Sequence, residues 1–351
     1  METSTPDNLI PSSPVRKRRW WVYTLLACAL LLVVFIIVAV LTLRAQMHAP
    51  IHLGEAQIIH IRRGTSFRFL ANRLYEDKII PNPVIFYLYA RLSGQANKLK
   101  IGDYAIKDGM CPLDILAMVN SGLALAYPVT IPEGKWASEY PGFIHAHWPD
   151  AAAAWPDLCA NPKVAKDVAP FIDGDSLEGY LFPDTYLFDK TASATLMLET
   201  MLKRFHEQCI TAYQAHPPAD GRTIRQVLIL ASLIEAEAKH DNERPVIAGV
   251  YLNRLHKRML LQCDATILYA HRQRLKRVLF KDLEIDSPYN TYKYPGLPAG
   301  PICNPGLPSF MAALHPADVS YLYYVAQGDG SHLFSNTLAE HEAAILRVRG
   351  K

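Results

Sequence analysis

The segment "LILASLIEAEAKHDNE", Leu228 to Glu243, decides how the larger part of this chain is interpreted. Its run of Leu, Ile and Ala predicts a buried helix, yet it carries two carboxylates, Glu235 and Glu237. Placing a carboxylate next to a protein core is unfavourable unless an ion pair or hydrogen bonds compensate for the lost hydration. Either each Glu is structural, bound to a helix terminus or to an arginine such as Arg244, or one of them lines a cleft and does acid/base chemistry.

The two carboxylates are predicted to point to different sides of the helix, because they are two residues apart and one turn takes 3.6 residues. Each borders apolar side chains, so helical periodicity alone does not choose between Glu235 and Glu237. A glutamic acid among apolar side chains keeps its proton to a higher pH than one in water. A general acid that protonates a leaving glycosidic oxygen near neutral pH needs this property.

An apolar segment near the amino terminus contributes to the hydrophobic share of 50%, which is high for a soluble protein. Trp20 to Leu43 contains no charged residue and would be about 36 Å long as a helix, against about 30 Å for the hydrocarbon core of a bilayer. Basic residues at 16–19 precede it, which predicts that residues 1–19 are a disordered cytoplasmic tail. We expect residues 20–43 to be a transmembrane helix in the cell inner (cytoplasmic) membrane, with the rest of the chain periplasmic or otherwise extracytoplasmic. The alternative, a cleaved signal peptide, lacks a small-x-small cleavage site.

Several classes of function are disfavoured by composition. The net charge of +3 gives no indication of nucleic-acid binding. His240, Asp241 and Glu243 lie close together but match no metal-ligand spacing, and no C-x-x-C occurs, so we expect no metal and no cofactor. Five cysteines follow the apolar segment, an odd number that leaves at least one thiol free and assigns no disulfide pairing. They are Cys111, Cys159, Cys209, Cys263 and Cys303.

Residues 44–125 are predicted to form a small module with the order strand, helix, helix, strand. Its segments are "IIHIRRG", "TSFRFLANRLYEDK", "NPVIFYLYARLSG" and "GDYAIKDG". Thr65 or Ser66 would cap the first helix, while Pro83 and Gly94 would mark the start and end of the second. The order and the "RRGTS" turn resemble the LysM-type glycan-binding module, so we expect a LysM-like unit close to the membrane.

Residues 126–351 are predicted to form a larger mixed domain, which makes the fold class of the chain α+β. Helices are expected at 191–214, at "GRTIRQVLILASLIEAEAK" and at "NERPVIAGVYLNRLHKR". "YLYYVAQGDGSHLFS" predicts a hairpin that turns at "GDG", and a final helix covers "TLAEHEAAILRVR".

Polar and aromatic residues downstream of the two carboxylates are candidates for substrate binding. Aromatic rings stack on the apolar faces of sugars, and amides bond to hydroxyl and acetamido groups. The long loop from Ser287 to Pro308 is rich in both, and long structured loops are usually functional. The alternative is that these are ordinary packed residues. Besides Glu237, the candidates are Asn253, Gln262, Asp264, Thr266, Tyr269, Tyr289, Asn290, Tyr292 and Asn304.

The blocks "LEGYLFPDTY", "LASLIEAEA", "ERPVIAGVYLNRL", "MLLQCDATILY", "SPYNTYKYPGLPAGPICNPG" and "YYVAQGDGSHLFSNTLAEH" together resemble the YceG-like family of endolytic murein transglycosylases. The resemblance covers roughly residues 55–347. It implies a membrane-anchored enzyme that cleaves the β-1,4 bond between N-acetylmuramic acid and N-acetylglucosamine within peptidoglycan strands. The products would carry 1,6-anhydro ends, and cleavage would limit the length of nascent strands. The catalytic Glu of the family falls on Glu235, with Glu237 in support.

Two positions depart from the usual pattern of the family. Ala238 replaces a Thr, and Cys263 stands before Asp264 in place of a Thr or Ser. Neither change touches Glu235, but both could alter its surroundings.

Two other functions stay open on the sequence alone. A hydrolytic muramidase would use Asp264 as its second carboxylate. A catalytically inactive glycan-binding scaffold of the cell-wall synthesis machinery would keep the fold without the chemistry. With either enzyme, an anchor so close to the body of the protein suggests peptidoglycan synthases as partners.

Overall fold

The computed structural model describes residues 17–161 and 163–350, which form two compact units. The first unit ends at Leu125 and the second begins at Ala126. The fold is mixed α+β, as predicted, with one long apolar helix at the amino-terminal end. Residues 1–16 of the predicted cytoplasmic tail lie outside the described residues.

The apolar segment forms helix α1, Lys17–His48. Between Trp20 and His48, the most apolar window of 18 residues has a mean hydropathy of 3.3 and no surface buried within the protein. An apolar helix with no protein partner along that window has the length and composition to cross a bilayer.

The rest of the first unit has the predicted order of strands and helices. β1 (Gln57–Ile61) pairs antiparallel with β2 (Gly102–Ile106), and α2 (Phe67–Glu76), α3 (Pro83–Leu92) and α4 (Pro112–Ser121) pack beside them. Ser66 is the cap of α2, since its hydroxyl accepts a hydrogen bond from the Phe69 N–H. Pro83 is the first residue of α3, as predicted, and Asn82 caps it.

The second unit contains two strand pairs and most of the helices. β3 (Ala126–Thr130) pairs antiparallel with β4 (Thr185–Asp189), and β5 (Tyr323–Ala326) forms the predicted hairpin with β6 (His332–Ser335). The helices are α5 (Pro141–Ile144), α6 (Pro149–Ala160), α7 (Lys163–Val168), α8 (Ala194–Phe205), α9 (Thr211–Ala215), α10 (Ile224–Glu237), α11 (Arg244–His256), α12 (Asp264–Ala270), α13 (Leu307–Leu314) and α14 (Leu338–Arg349).

The helix predicted at 191–214 is divided. α8 begins after its cap, Ser193, and a π-helical turn at His206–Ile210 separates it from α9. The wider turn changes the direction of the side chains that follow it. It includes Cys209 and Ile210, which are both buried in the core.

α10 is the central helix of the second unit and packs against α13. Thr223 and Gln226 close a capping box at its start. Every residue from Val227 to Ile234 is buried, so this part of the helix is surrounded by the core. The sequence predicted that both carboxylates lie inside the helix. In the structure α10 ends at Glu237, because Ala238 is extended and forms the C-cap. Both carboxylates therefore lie in the last turn, where the helix leaves the core.

All six cysteines have free thiols. Three of them, Cys209, Cys263 and Cys303, are buried in the second unit, where they pack as small apolar side chains.

Candidate active site

Glu235 is held through one of its two carboxylate oxygens. Oε2 accepts a hydrogen bond from Nη1 of Arg244 at 3.3 Å and another from the backbone N–H of Gly306 at 3.1 Å. Within residues 17–161 and 163–350, no donor is hydrogen-bonded to Oε1. Two donors thus fix the orientation of the carboxylate through Oε2, although the side chain is only 7% exposed.

Glu235 is bonded to an arginine and to a helix terminus. These are the two partners expected from the sequence for a glutamate with a structural role. Gly306 precedes α13, so its N–H belongs to the positive end of that helix. Arg244 is buried and also donates to Asp241 Oδ1 at 2.9 Å and to Ser309 Oγ. These contacts hold a carboxylate in one place, which serves a reactive group as well as a structural one.

A second carboxylate, Glu133, lies beside Glu235 on the loop that follows β3. A Cβ atom on Gly306 would overlap the Glu133 carboxylate, so a larger residue at this position would push that side chain aside. Burial raises the pKa of Glu133, and the negative charge of Glu235 raises it further. Sequence analysis missed Glu133. The signal was an acid directly before a glycine turn in "TIPEGKW".

The backbone of the Glu133 loop also contacts Glu235. Gly134 has a φ of +72°, a conformation that favours glycine. A Cβ atom at Gly134 would lie 3.7 Å from Cγ of Glu235, so this turn passes directly over the side chain.

Arg274 fixes the same loop from its outer side. Its Nη2 donates to the Gly134 carbonyl at 3.1 Å and to Glu139 Oε2 at 2.7 Å. The guanidinium lies 4.0 Å from the ring centroid of Trp136, within the range of a cation–π contact. Sequence analysis did not single out Arg274, because its partners are about 135 positions away in the chain.

Asn304 joins three loops around the site and is completely buried. Its Oδ1 accepts hydrogen bonds from the N–H groups of Gly179 at 2.8 Å and Leu181 at 3.0 Å. Its Nδ2 donates to Glu178 Oε1 at 2.9 Å and to the Lys135 carbonyl at 3.0 Å. This residue was predicted to bind substrate, but its whole side chain is used to hold the loops together.

Glu178, from the "LEGYLFPDTY" block, is a buried carboxyl group, and its hydrogen-bonding partners among the described residues include no cation. Oε1 accepts from the Ala137 N–H at 2.9 Å as well as from Asn304, and Oε2 accepts from the Tyr269 hydroxyl at 3.2 Å. Burial raises the pKa of Glu178 to about 7. The group is therefore half protonated near neutral pH.

Glu178 should make the protein less stable as the pH rises. The folded state holds the proton more tightly than the unfolded state, whose pKa is near 4.5. Protonated Glu178 therefore contributes fully to the free energy of unfolding below about pH 4.5. This contribution, about 3 kcal/mol in total, is lost as the pH rises through 7. We expect Glu178→Gln to unfold at a higher temperature than the wild type at pH 8 and at a similar temperature at pH 5.

Thermal unfolding of both proteins between pH 5 and 8.5 tests this expectation. Glu342→Gln, at an exposed position on α14, is the control and should follow the wild-type curve. A difference between Glu178→Gln and wild type that does not change with pH would contradict the assignment.

Glu237 faces a separate polar cluster. Its Oε1 accepts a hydrogen bond from the Cys263 thiol at 3.1 Å, so the cysteine that departs from the family pattern contacts the second Glu. Burial raises the pKa of Glu237, and the charge of Asp264 also raises it. Asp264 itself is exposed and accepts from the Tyr292 hydroxyl at 2.5 Å. Glu235 and Glu237 thus point to different surroundings, as their spacing predicted.

Four of the remaining candidates hold the fold around this cluster. Thr266 is buried and donates to the Cys263 carbonyl at 2.7 Å. Asn290 is buried and donates to the carbonyls of Leu283 and Ile285, both at 2.8 Å. The ring of Tyr269 is buried, and its centroid lies 4.8 Å from the centroid of the Tyr289 ring, which is partly exposed.

The last two candidates are Asn253 and Gln262. Asn253 donates to the carbonyls of Val319 at 2.7 Å and Tyr321 at 3.0 Å, so it ties α11 to the segment before β5. It is nine residues along α11 from Arg244, about 13 Å at 1.5 Å per residue. Gln262 has an exposed side chain and a φ of 51° at the turn before α12.

No group of three or more His, Cys, Asp or Glu side chains that could hold a metal ion occurs in the part of the chain that the structure describes. His240, Asp241 and Glu243 lie close together in the sequence. Asp241 accepts a hydrogen bond from Arg244, and Glu243 accepts one from the His332 ring at 2.7 Å.

Comparison with known proteins decides the family. The model of the YceG-like family matches residues 59–347, most of the chain. The chain belongs to the YceG-like family. The resemblance inferred from the sequence blocks is thereby confirmed, and the match includes part of the first unit, most of the second unit and all candidate residues described above.

Two relatives and one solved structure support the same assignment. An endolytic murein transglycosylase of Bacillus subtilis (strain 168) is 35% identical over 305 residues, which are 82% of this chain and 83% of that protein. An endolytic murein transglycosylase of Streptococcus pneumoniae (serotype 2, strain D39) is 27% identical over 314 residues, or 81% of this chain and 57% of that protein. The crystal structure of a YceG-like protein from Listeria monocytogenes has a TM-score of 0.58 and 34% identity. The matched region covers 83% of this YceG-like chain and 99% of the Listeria protein.

Proposed function

We propose that this protein is a lytic transglycosylase of peptidoglycan in which Glu235 is the acid and the base. The observation that carries the proposal is the carboxylate of Glu235, oriented through Oε2 by an arginine and a backbone N–H at the end of a buried helix. The names of the B. subtilis and S. pneumoniae relatives support the substrate and the reaction class.

The proposed reaction uses one carboxyl group twice. Glu235 donates its proton to the glycosidic oxygen as an oxocarbenium-like transition state develops at C1 of N-acetylmuramic acid. The ionised carboxylate then takes the proton of the C6 hydroxyl, and this oxygen attacks C1 within the same sugar. The product has a 1,6-anhydro end, no water is consumed, and Glu235 is protonated again. Arg244 and the Gly306 N–H keep the carboxylate in one orientation through both proton transfers.

Substrate contacts are proposed for the candidates whose polar atoms are accessible. Gln262 and Asp264 are exposed, and Tyr292 and Glu237 are partly exposed. These groups lie on the side of α10 that Glu237 faces, where hydroxyl and acetamido groups of a glycan can form hydrogen bonds with them. Thr266, which is buried, donates to the Cys263 carbonyl and so supports the turn that carries Gln262 and Asp264.

The cellular setting is proposed from the first unit. α1 would anchor the protein in the inner membrane with its amino terminus in the cytoplasm, because basic residues precede the apolar span. The strand–helix–helix–strand unit would act as a LysM-like glycan contact. Cleavage near the membrane would limit the length of nascent strands, next to peptidoglycan synthases.

Product analysis tests the function. The full-length protein in detergent would be incubated with purified sacculi, and the released fragments would be analysed by mass spectrometry. We expect 1,6-anhydro-muramyl ends, which are lighter by one water than reducing ends. Release of reducing ends only would indicate a hydrolase, and release of no fragments would favour the inactive scaffold.

Asp264→Asn distinguishes the two enzyme mechanisms. If Asp264 only contacts substrate, the variant should lose less than about tenfold in kcat/KM and still release anhydro ends. A hydrolase that uses Asp264 as its second carboxylate should instead lose roughly 10² to 10⁴-fold. Kinetics on defined glycan strands would separate these outcomes. Gln262→Glu, measured in parallel, tests the effect of a charge change in the same turn.

A further inference from the structure

A basic segment beside the cleft has no role in the mechanism above. Residues 275–281 carry three cations, Lys276, Arg277 and Lys281, and no acid. We propose that this basic segment binds the carboxylates of the peptide stems that branch from the glycan strand. The inference rests on peptidoglycan as the proposed substrate and deepens it, because it adds a contact for the peptide part of the strand.

The start of the basic segment is fixed next to the reactive carboxylate. Arg274, the residue directly before it, donates to the Gly134 carbonyl at 3.1 Å and to Glu139 Oε2 at 2.7 Å. The Gly134 turn is the one that passes over Glu235. An extended chain advances at most about 3.6 Å per residue, so Lys281 lies within about 25 Å of the Arg274 backbone. A strand bound at Glu235 would therefore carry its neighbouring stems close to this segment.

The other end of the basic segment is also held. The buried Asn290 side chain donates to the carbonyls of Leu283 and Ile285, both at 2.8 Å. Asp282 accepts a hydrogen bond from the Leu279 N–H at 2.8 Å, which closes the short 3₁₀ turn at this point. A segment fixed at both ends loses little conformational freedom when a ligand binds to it.

The three cations are unpaired and exposed. In the described part of the chain, no carboxylate forms an ion pair with Lys276, Arg277 or Lys281, whereas the neighbouring Arg274 is paired with Glu139. Unpaired cations at the edge of a cleft raise the local concentration of anionic ligands. The hydroxyl and acetamido groups of the sugars are neutral, so the negative charges of the substrate that suit these cations are those of the stems.

An apolar surface accompanies the cations. Phe280 is 91% exposed, and Leu279 beside it is 47% exposed. Adjacent exposed apolar side chains among charged ones are typical of an interaction site. A stem peptide offers both features, because alanine methyl groups alternate with carboxylates along it. Anionic lipid offers them too, but the contact of Arg274 with the turn over Glu235 places the segment where the substrate binds.

Binding of two matched strands tests the proposal. Full-length protein carrying Glu235→Gln, in detergent, would be titrated with labelled glycan strands that bear stems, and with the same strands after their stem carboxylates are converted to amides. We expect the unmodified strands to bind about tenfold more tightly at low salt, and the difference to shrink as the ionic strength rises. Equal affinities would overturn the proposal.

This comparison separates the inference from the proposed function. Binding needs no cleavage, so the expected difference is the same whether the active enzyme makes anhydro ends or reducing ends, or is an inactive scaffold. Binding of both strands with equal affinity would contradict the inference and leave the substrate standing. Binding of neither strand would contradict the proposed substrate and this inference with it.

A triple variant tests whether the basic segment causes the difference. In the same background, Lys276→Gln, Arg277→Gln and Lys281→Gln together should bind both kinds of strand alike, with the loss of affinity confined to the unmodified strands. If the triple variant keeps the tenfold difference, the segment binds another partner, such as anionic lipid, and the proposal is wrong.

A second triple variant is the matched control. It removes three exposed cations from the ends of α11 and α14, and so changes the net charge by the same amount. The substitutions are Lys257→Gln, Arg347→Gln and Arg349→Gln. This protein should keep the tenfold difference. An equal loss in both triple variants would mean that total charge is responsible, which would overturn the proposal.

Phe280→Ser tests the apolar part of the contact. It should weaken the binding of unmodified and amidated strands by a similar factor, about fivefold, because the apolar contact does not depend on the charge of the stem. Leu346→Ser, at a position on α14 that is 72% exposed, is the control and should bind both strands as the Glu235→Gln protein does. Unchanged binding of Phe280→Ser would contradict the proposed contact.

Discussion

Glu235→Gln should lower the rate of glycan cleavage by roughly 10² to 10⁴-fold, the contribution expected of a general acid and base. Gln can still accept the hydrogen bonds from Arg244 and Gly306 through its side-chain oxygen, so the site should keep its shape. It has no proton of suitable acidity to donate and cannot take one back. Mass spectrometry of fragments from sacculi, wild type beside variant, measures the effect as the amount of anhydro ends released per unit time.

The control for this experiment is Glu237→Gln, two residues further along the same helix. Glu237 faces Cys263 and not Arg244, so its replacement should disturb substrate contacts and leave the anhydro chemistry measurable. Binding of Glu235→Gln to insoluble sacculi and its thermal unfolding should match the wild type. If Glu235→Gln releases anhydro ends at the wild-type rate, the proposed mechanism is wrong.

Asn304→Leu should destabilise the second unit by about 4 kcal/mol, because it leaves several buried donors and acceptors without partners. The N–H groups of Gly179 and Leu181 would lose their acceptor, and Glu178 would lose a donor. Urea unfolding followed by circular dichroism measures the change in the free energy of unfolding. Activity should fall as well, since Asn304 connects the Glu133 loop to the loop that carries Gly306.

Asn336→Leu serves as the matched control. Asn336 is exposed, and its side chain accepts one hydrogen bond from Ser320 at 2.8 Å. Its replacement should change the free energy of unfolding by less than about 1 kcal/mol. Similar losses in the two variants would show that Asn304 does not have the structural role that its contacts indicate.

The sequence identified most of the helices because their signals are local. Periodicity and a capping box define α10, proline and a cap define α3, and the "GDG" turn defines the hairpin. The several blocks in order identified the family. The end of α10 was placed too late, because no glycine marks it, and the π-helical turn before α9 left no sequence signal.

The predicted substrate contacts depended on residue type alone and mixed two kinds of residue. Asn290, Asn304 and Thr266 are as polar as Gln262 and Asp264, but they are buried and bonded to backbone or to other side chains. Residue type tells which hydrogen bonds a side chain can make. Burial decides whether a ligand can reach them.

By itself, the sequence therefore determined most of the secondary structure, the long apolar helix and the family. Only the tertiary structure decided which groups surround Glu235. Gly306 lies 71 positions from Glu235 in the chain, and Glu133 and Arg244 reach it from other directions. Hydrogen bonds and like-charge repulsion act over a few ångströms of space, and no pattern of neighbours along the chain records which distant residues come that close.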